Sequence, residues 1–182
     1  IKIYQPEKVK DEGFIGEIRR MSPDLIVTAA FGQILPQDLL DIPRLGCINV
    51  HASLLPKYRG ASPIQQALLD GETRTGITIM YMDAGMDTGH IILQRSTAID
   101  PEENYGQLHD RLSHMGGQLL KEALKLFEVG KPQGIAQDEK MATYCSRLDK
   151  SMGEINWDQE PRRIKNLVRA FNPWPGTYTF VN

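Results

Sequence analysis

The chain has 182 residues, 41% hydrophobic and 24% charged. That fits a soluble globular chain, one domain or a domain and a fragment of a second, and no apolar run approaches the roughly 18 residues of a membrane span. A formal net charge of −2 gives no global basic field for nucleic acid, though a local patch is compatible with it, and only Cys47 and Cys145, in unrelated contexts, are available to a disulfide framework or a Cys-based zinc site, which they exclude.

In chain order, "IKIYQPEKV" is expected as a short strand with a turn at Pro6. "GFIGEIRRMSPD" predicts a helix with Phe14, Ile15 and Ile18 inward, ended by Pro23 and Asp24. "LIVTAAFG" is a continuous apolar run, as in a strand covered on both faces. "PQDLLDIP" carries a helical turn, "CINVHA" a short strand, and "SPIQQALLDGE" a compact helix stopped by Gly71. "GITIMYMD" and "HIILQRSTAI" are the next two strands.

The stretch after Ile99 predicts the longest helix, capped by Asp100, with Pro101 in its first position and Glu103 closing a capping box. Leu108, Leu112, Met115, Leu119 and Phe127 form its buried stripe, and Gly116–Gly117 is a place for a bend. Residues 131–160 are irregular, with a short strand near Thr143–Cys145. A last helix, about Glu160 to Phe171, buries Ile164, Leu167, Val168 and Phe171. "NPWPGTYTFVN" then turns into the start of another strand. The alternation predicts an α/β fold with a three-layer, mostly parallel, Rossmann-like sheet. Both ends look cut, and the chain is expected to be part of a larger protein.

"INVHASLLPKYRG" runs from an apolar strand into a loop. Side chains alternate along a strand, so Asn49 and His51 point the same way, roughly 6–7 Å apart. They stand at a carboxyl end, where open α/β sheets bind ligands. An amide and an imidazole there can donate to an oxygen that gains negative charge. "SLLP" is a tight apolar exit fixed by Pro56, and Lys57 and Arg59 are expected to face solvent or an anionic substrate. Equally, Asn49 caps a turn and His51 is a satisfied histidine at a strand end.

"MDAGMDTGH" adds Asp83, Gly85, Asp87, Gly89 and His90. It reads as an ordinary hairpin turn, or as the second half of a site. A carboxylate beside an imidazole can orient it, hold it protonated, or carry protons through water. His51, His90, Asp83 and Asp87 have no metal-ligand spacing, so no metal is expected. Ser53 and Ser62 lack a nucleophile elbow, and Walker and Rossmann glycine loops are absent.

"NVHASLLPKYRGASPIQ" followed by "GITIMYMDAGMDTG" resembles the folate-dependent formyltransferase family, whose signature is an Asn-x-His at a strand end and an Asp in a later loop, here Asn49, His51 and Asp87. "AAFGQILP" and "RAFNPWPG" carry the resemblance toward members that act on an aminoacyl-tRNA. It implies formyl transfer from 10-formyltetrahydrofolate to the α-amino group of methionine on initiator tRNA, with Asn49, His51 and Asp87 catalytic. It further implies folate contacts at Phe31, Gly32, Ile34, Leu35, Ser53, Leu54, Leu55, Pro56, Asp83 and Gly85. The implied organisation is a catalytic domain over residues 1–160, lacking its first strands, and a final helix and linker over 161–182 that lead to a tRNA-binding β-barrel. A cytoplasmic monomer that meets no membrane is expected. Transfer to a nucleotide amino sugar, hydrolysis of formyltetrahydrofolate, and a non-catalytic ligand- or RNA-binding module are the alternatives.

From Pro161 onward the chain has Arg162, Arg163, Lys165 and Arg169 and no acidic residue. They form a solvated helix surface or contact tRNA phosphates.

Overall fold

A computed structural model describes residues 1–181. Four strands form the central sheet: β1 (Ile26–Ala29), β2 (Cys47–His51), β4 (Arg74–Tyr81) and β5 (Ile91–Ala98), in the order β1-β2-β4-β5. A second, two-stranded sheet pairs β3 (Arg59–Gly60) with β6 (Tyr144–Cys145). The short strand expected at Thr143–Cys145 is therefore present, and its partner is the loop that leaves β2.

Three layers are present. Val9, Leu35, Leu39, Leu40 and Cys47 form one core beside α1 (Glu12–Met21) and α2 (Gln37–Leu40). Ile48, Ile77 and Ile79 form a larger one with α3 (Pro63–Leu69), α4 (Tyr105–Glu128) and α5 (Pro161–Ala170). Leu108, Leu112 and Leu119 of α4 are almost fully buried, each contributing about 1.5–3 kcal/mol. Gly116 marks close approach rather than a bend: α4 is one helix, and a Cβ at Gly116 would lie 3.1 Å from Val50 Cγ1 on β2.

The sheet is mixed in these residues, not mostly parallel. β1 pairs parallel with β2, while β2–β4 and β4–β5 are antiparallel. β4 is buried along nearly its whole length, and an apolar run reports cover on both faces without reporting direction.

Other expectations shift locally. The first residues up to Pro6 join no strand among the described residues; Lys2 and Tyr4 instead reach Glu17 of α1. α1 ends at Met21 with Ser22 in the left-handed region, before Pro23 is reached. α4 starts four residues after Pro101: Asn104 caps it and forms the capping box with Gln107. Asp100 and Glu103 make a separate turn, in which Asp100 Oδ1 accepts from the Glu102 N–H at 2.8 Å. On α5 the buried residues are Asn166 and Ala170, while Val168 is 41% exposed. Phe171 is buried and Leu167 packs against the larger core as expected, while Asn166 reaches the Leu69 carbonyl of α3, so Val168 alone leaves the expected stripe. After α5 only Tyr178 bridges back, parallel to Glu154, so no strand forms among the described residues there.

Candidate active site

The carboxyl ends of β1 and β2, the 82–90 loop between β4 and β5, and one side of α4 enclose a cleft of about 980 Å³. Asn49, His51 and Asp87 all line it. Loop 82–90 is both things the sequence allowed: it joins two antiparallel strands and brings Asp87 to His51.

Asn49 sits opposite Thr28 in the parallel β1–β2 ladder. Thr28 Oγ1 donates to Asn49 Oδ1 at 2.9 Å. With its oxygen occupied, the amide is left with two N–H donors, and no acceptor among the described residues takes them. Thr28 was hidden inside the apolar run of β1.

His51 is buried, and its Nε2 lies 2.9 Å from the Tyr58 carbonyl. A carbonyl only accepts, so Nε2 carries a proton. Nδ1 is then the nitrogen left for chemistry, and it faces Asp87 Oδ2 at 3.7 Å. That gap is too long for a direct hydrogen bond. Nδ1 can donate only when both ring nitrogens carry a proton, and otherwise accepts. Tyr58 has φ +62°, and its hydroxyl reaches Asp70 and Glu72, each at 3.0 Å. Burial, with those two carboxylates, pushes the phenol well above its ordinary range.

Asp87 also has a left-handed backbone, with φ +54°; for a non-glycine residue this costs roughly 1–2 kcal/mol. Its Oδ2 accepts from the Gly60 N–H at 2.8 Å. Gly60 has φ +117°, and a Cβ there would lie 2.2 Å from the Cys145 carbonyl oxygen. Only glycine allows β3 to approach β6 this closely.

Arg59 does not face solvent or substrate. It is 0% exposed, and all its N–H donors are occupied by Gln137, Glu139 and the Tyr144 hydroxyl. Lys57 pairs with Glu72 at 2.9 Å. A basic residue after a strand end looks like a ligand arm. Its carboxylate partner Glu139 lies 80 residues away and leaves no local trace.

Of the expected folate contacts, Phe31, Gly32, Ile34, Leu35, Asp83 and Gly85 line the cleft. Asp83 shapes its loop, accepting from the Gly85 N–H at 3.0 Å and from the Thr88 hydroxyl at 2.6 Å. Ser53, Leu54, Leu55 and Pro56 do not line it. Ser53 donates to the Lys57 carbonyl at 2.6 Å, and the Leu55 N–H donates to Thr78 Oγ1 at 3.2 Å. The stretch is thus tied both to its own turn and to Thr78 on β4. His90 is also off the cleft. Tyr105, His109, Arg147 and Trp174 line its other side. The sequence marked "FNPWPG" only through resemblance, and the other three sit on elements with no site-like spacing.

Arg162 and Arg163 are exposed on α5. Lys165 pairs with Glu102, and Arg169 donates to the Asp100 and Pro101 carbonyls at 3.1 and 3.0 Å. Two of the four cations thus fasten α5 to the turn before α4.

A mixed α/β scaffold with amide, imidazole and carboxylate at one strand-end cleft defines a class of site suited to acyl-type transfer without a protein nucleophile. Residues 2–124 match the family described as formyl transferase, and residues 147–182 match the formyl transferase C-terminal domain. The chain belongs to the formyl transferase family. It is 53% identical, over its whole length, to a methionyl-tRNA formyltransferase of Geotalea daltonii and 48% identical to one of Clostridioides difficile. The chain spans 58% and 59% of those relatives. A sugar N-formyltransferase of a Shewanella species superposes with a TM-score of 0.81 at 25% identity, covering 95% of this chain and 70% of that one. HypX from Aquifex aeolicus, in complex with tetrahydrofolic acid, has the same fold, with a TM-score of 0.79 at 19% identity over 92% of this chain and 29% of that one.

Proposed function

We propose that the chain carries the formyl-transfer centre of an enzyme that moves a formyl group from 10-formyltetrahydrofolate to the α-amino group of methionine on initiator tRNA, in the cytoplasm. The observation that carries the reading is the convergence of Asn49, His51 and Asp87 on one cleft. Relatives about half identical over the whole chain are named methionyl-tRNA formyltransferase, which supports a methionyl-tRNA acceptor.

The residues divide the work. As the amine attacks the formyl carbon, charge grows on the formyl oxygen, and the free Asn49 amide donates to it. His51 turns Nδ1 to the reacting groups, while its Nε2–H stays on the Tyr58 carbonyl. The incoming ammonium must lose one proton and the departing folate nitrogen must gain one. Asp87, held through Oδ2 by Gly60, takes the ammonium's proton on Oδ1, directly or through water, and returns it to the departing folate nitrogen. Phe31, Gly32, Ile34 and Leu35 supply an apolar wall for a flat ring.

The test is an acceptor comparison with the full-length protein and 10-formyltetrahydrofolate. Formyl label is expected on methionyl initiator tRNA. Preferential labelling of a nucleotide amino sugar, or formate release without an acceptor, would replace this reading with one of the other two. Folate binding without any transfer would make the chain a binding module.

A further inference from the structure

Asp87 is held by more than the groups that act with it. Two contacts fix its left-handed backbone and its carboxylate. The Gly60 N–H reaches Oδ2 at 2.8 Å. Gln137 Nε2 donates to the carbonyls of Asp87 and Gly89, each at 2.8 Å. Gln137 Oε1 in turn accepts from Arg59 Nε at 3.1 Å and Nη2 at 2.8 Å.

Arg59 and Gly60 are chain neighbours, so these contacts close a ring: Gly60 to the Asp87 carboxylate, the Asp87 carbonyl to Gln137, Gln137 to Arg59, and Arg59 back to Gly60. The Gln137 amide donates twice and accepts twice, which uses its whole capacity. Turning it over would set N–H groups against the guanidinium and its oxygen against two carbonyls, so its orientation is determined. Arg59 cannot leave, because all its donors are engaged and Glu139 neutralises it at 2.7 Å. A strained backbone persists where its surroundings over-determine it, and this ring does so at the one residue whose carboxylate faces His51.

We propose that Gln137, oriented by buried Arg59, is a positioning residue for Asp87, setting where its carboxylate stands relative to His51. The consequence for rate rests on the formyl-transfer reading; the consequence for geometry does not. The competing view is that Arg59, Gln137 and Glu139 only pin β3 to β6.

Gln137→Glu in the full-length protein separates the two. The change is nearly isosteric and keeps the acceptor for Arg59, but puts an oxygen against the Asp87 and Gly89 carbonyls. We expect kcat for formyl transfer to fall about 10-fold or more while KM for the formyl donor stays within about twofold. The Gly60 amide should exchange its hydrogen about 10-fold faster. Placed on Asp87→Ala, the same substitution should cost less than about twofold. An equal cost in both backgrounds, or an unchanged Gly60 amide, would overturn the proposal and leave Gln137 as a strand fastener. If Gln137→Glu does not fold, Gln137→Met is read by the same measurements. A wild-type protein that transfers no formyl group would sink the functional reading, and Gly60 exchange would still decide this one.

Discussion

The Thr28 hydroxyl and the Asn49 side-chain oxygen lie 2.9 Å apart across the parallel β1–β2 ladder, and this contact turns the Asn49 N–H groups toward the cleft. Thr28→Val keeps the shape and removes the donor. The amide is then free to turn, and kcat should drop about 10-fold with little change in folate affinity. Thr28→Ser should retain most activity. Steady-state kinetics of the two variants side by side check this; equal loss in both would show that the methyl group matters instead.

Asn49, His51 and Asp87 are expected to act mainly in the transition state. His51→Ala and Asp87→Ala should each lower kcat by about 10²–10³, with folate binding changed severalfold at most. Calorimetric folate titration beside single-turnover transfer measures both quantities. A variant that lost affinity and kept its turnover would contradict the assigned role.

Tyr58 predicts an alkaline weakness. Burial and its two carboxylate partners raise the folded phenol above its unfolded value of 10.0, so the unfolded chain releases this proton first. The Tyr58 contribution to stability is complete below pH 10 and is lost as pH rises toward the higher folded value. The slope in that window is about 1.4 kcal/mol per pH unit for one proton. Urea midpoints at pH 9, 10 and 11 (roughly spanning the unfolded pKa) should fall more steeply for the wild-type protein than for Tyr58→Phe. Parallel curves would mean that the phenol is not protected.

The basic helix divides into two pairs. Arg162 and Arg163 have no carboxylate partner among the described residues, whereas Lys165 pairs with Glu102 and Arg169 with main-chain carbonyls. In the full-length protein, Arg162→Ala with Arg163→Ala should weaken tRNA binding and reduce its log–log salt slope by about 1–2. Lys165→Ala should shift it less. Folate affinity should not move. A salt slope identical to wild type would leave both arginines as solubilising charge.

The parts legible in the sequence are those written in one place. Asn49 and His51 share a strand, so their spacing stood out; the glycine-rich loop offered Asp83 and Asp87 alike, and the family resemblance singled out Asp87. α1, α3, β4 and β5 followed from apolar periodicity. Strand direction did not, because β4 is covered on both faces whichever way its neighbours run. Arg59 departs from its expected exposure, and the "SLLP" stretch stands off the cleft lining, for one shared reason. Each sits beside the site in sequence but is engaged elsewhere in space, Arg59 with Gln137 and Ser53 with the Lys57 carbonyl. Pro101 marked a plausible helix start, yet the reciprocal pair Asn104–Gln107 won because it satisfies two orphan donors at once.

The ring around Asp87 has a consequence for timing. Arg59 meets Gln137 across 78 residues and Cys145 across 86. A chain leaving the ribosome therefore displays Asn49, His51 and Asp87 well before the residues that hold Asp87 in place. Closing so long a loop is slow, since its entropy is spent before the contacts return it. Residues 137–145, which hold Asp87, follow all three side chains in the chain, so on the proposed reading a half-made chain carries those groups without their alignment.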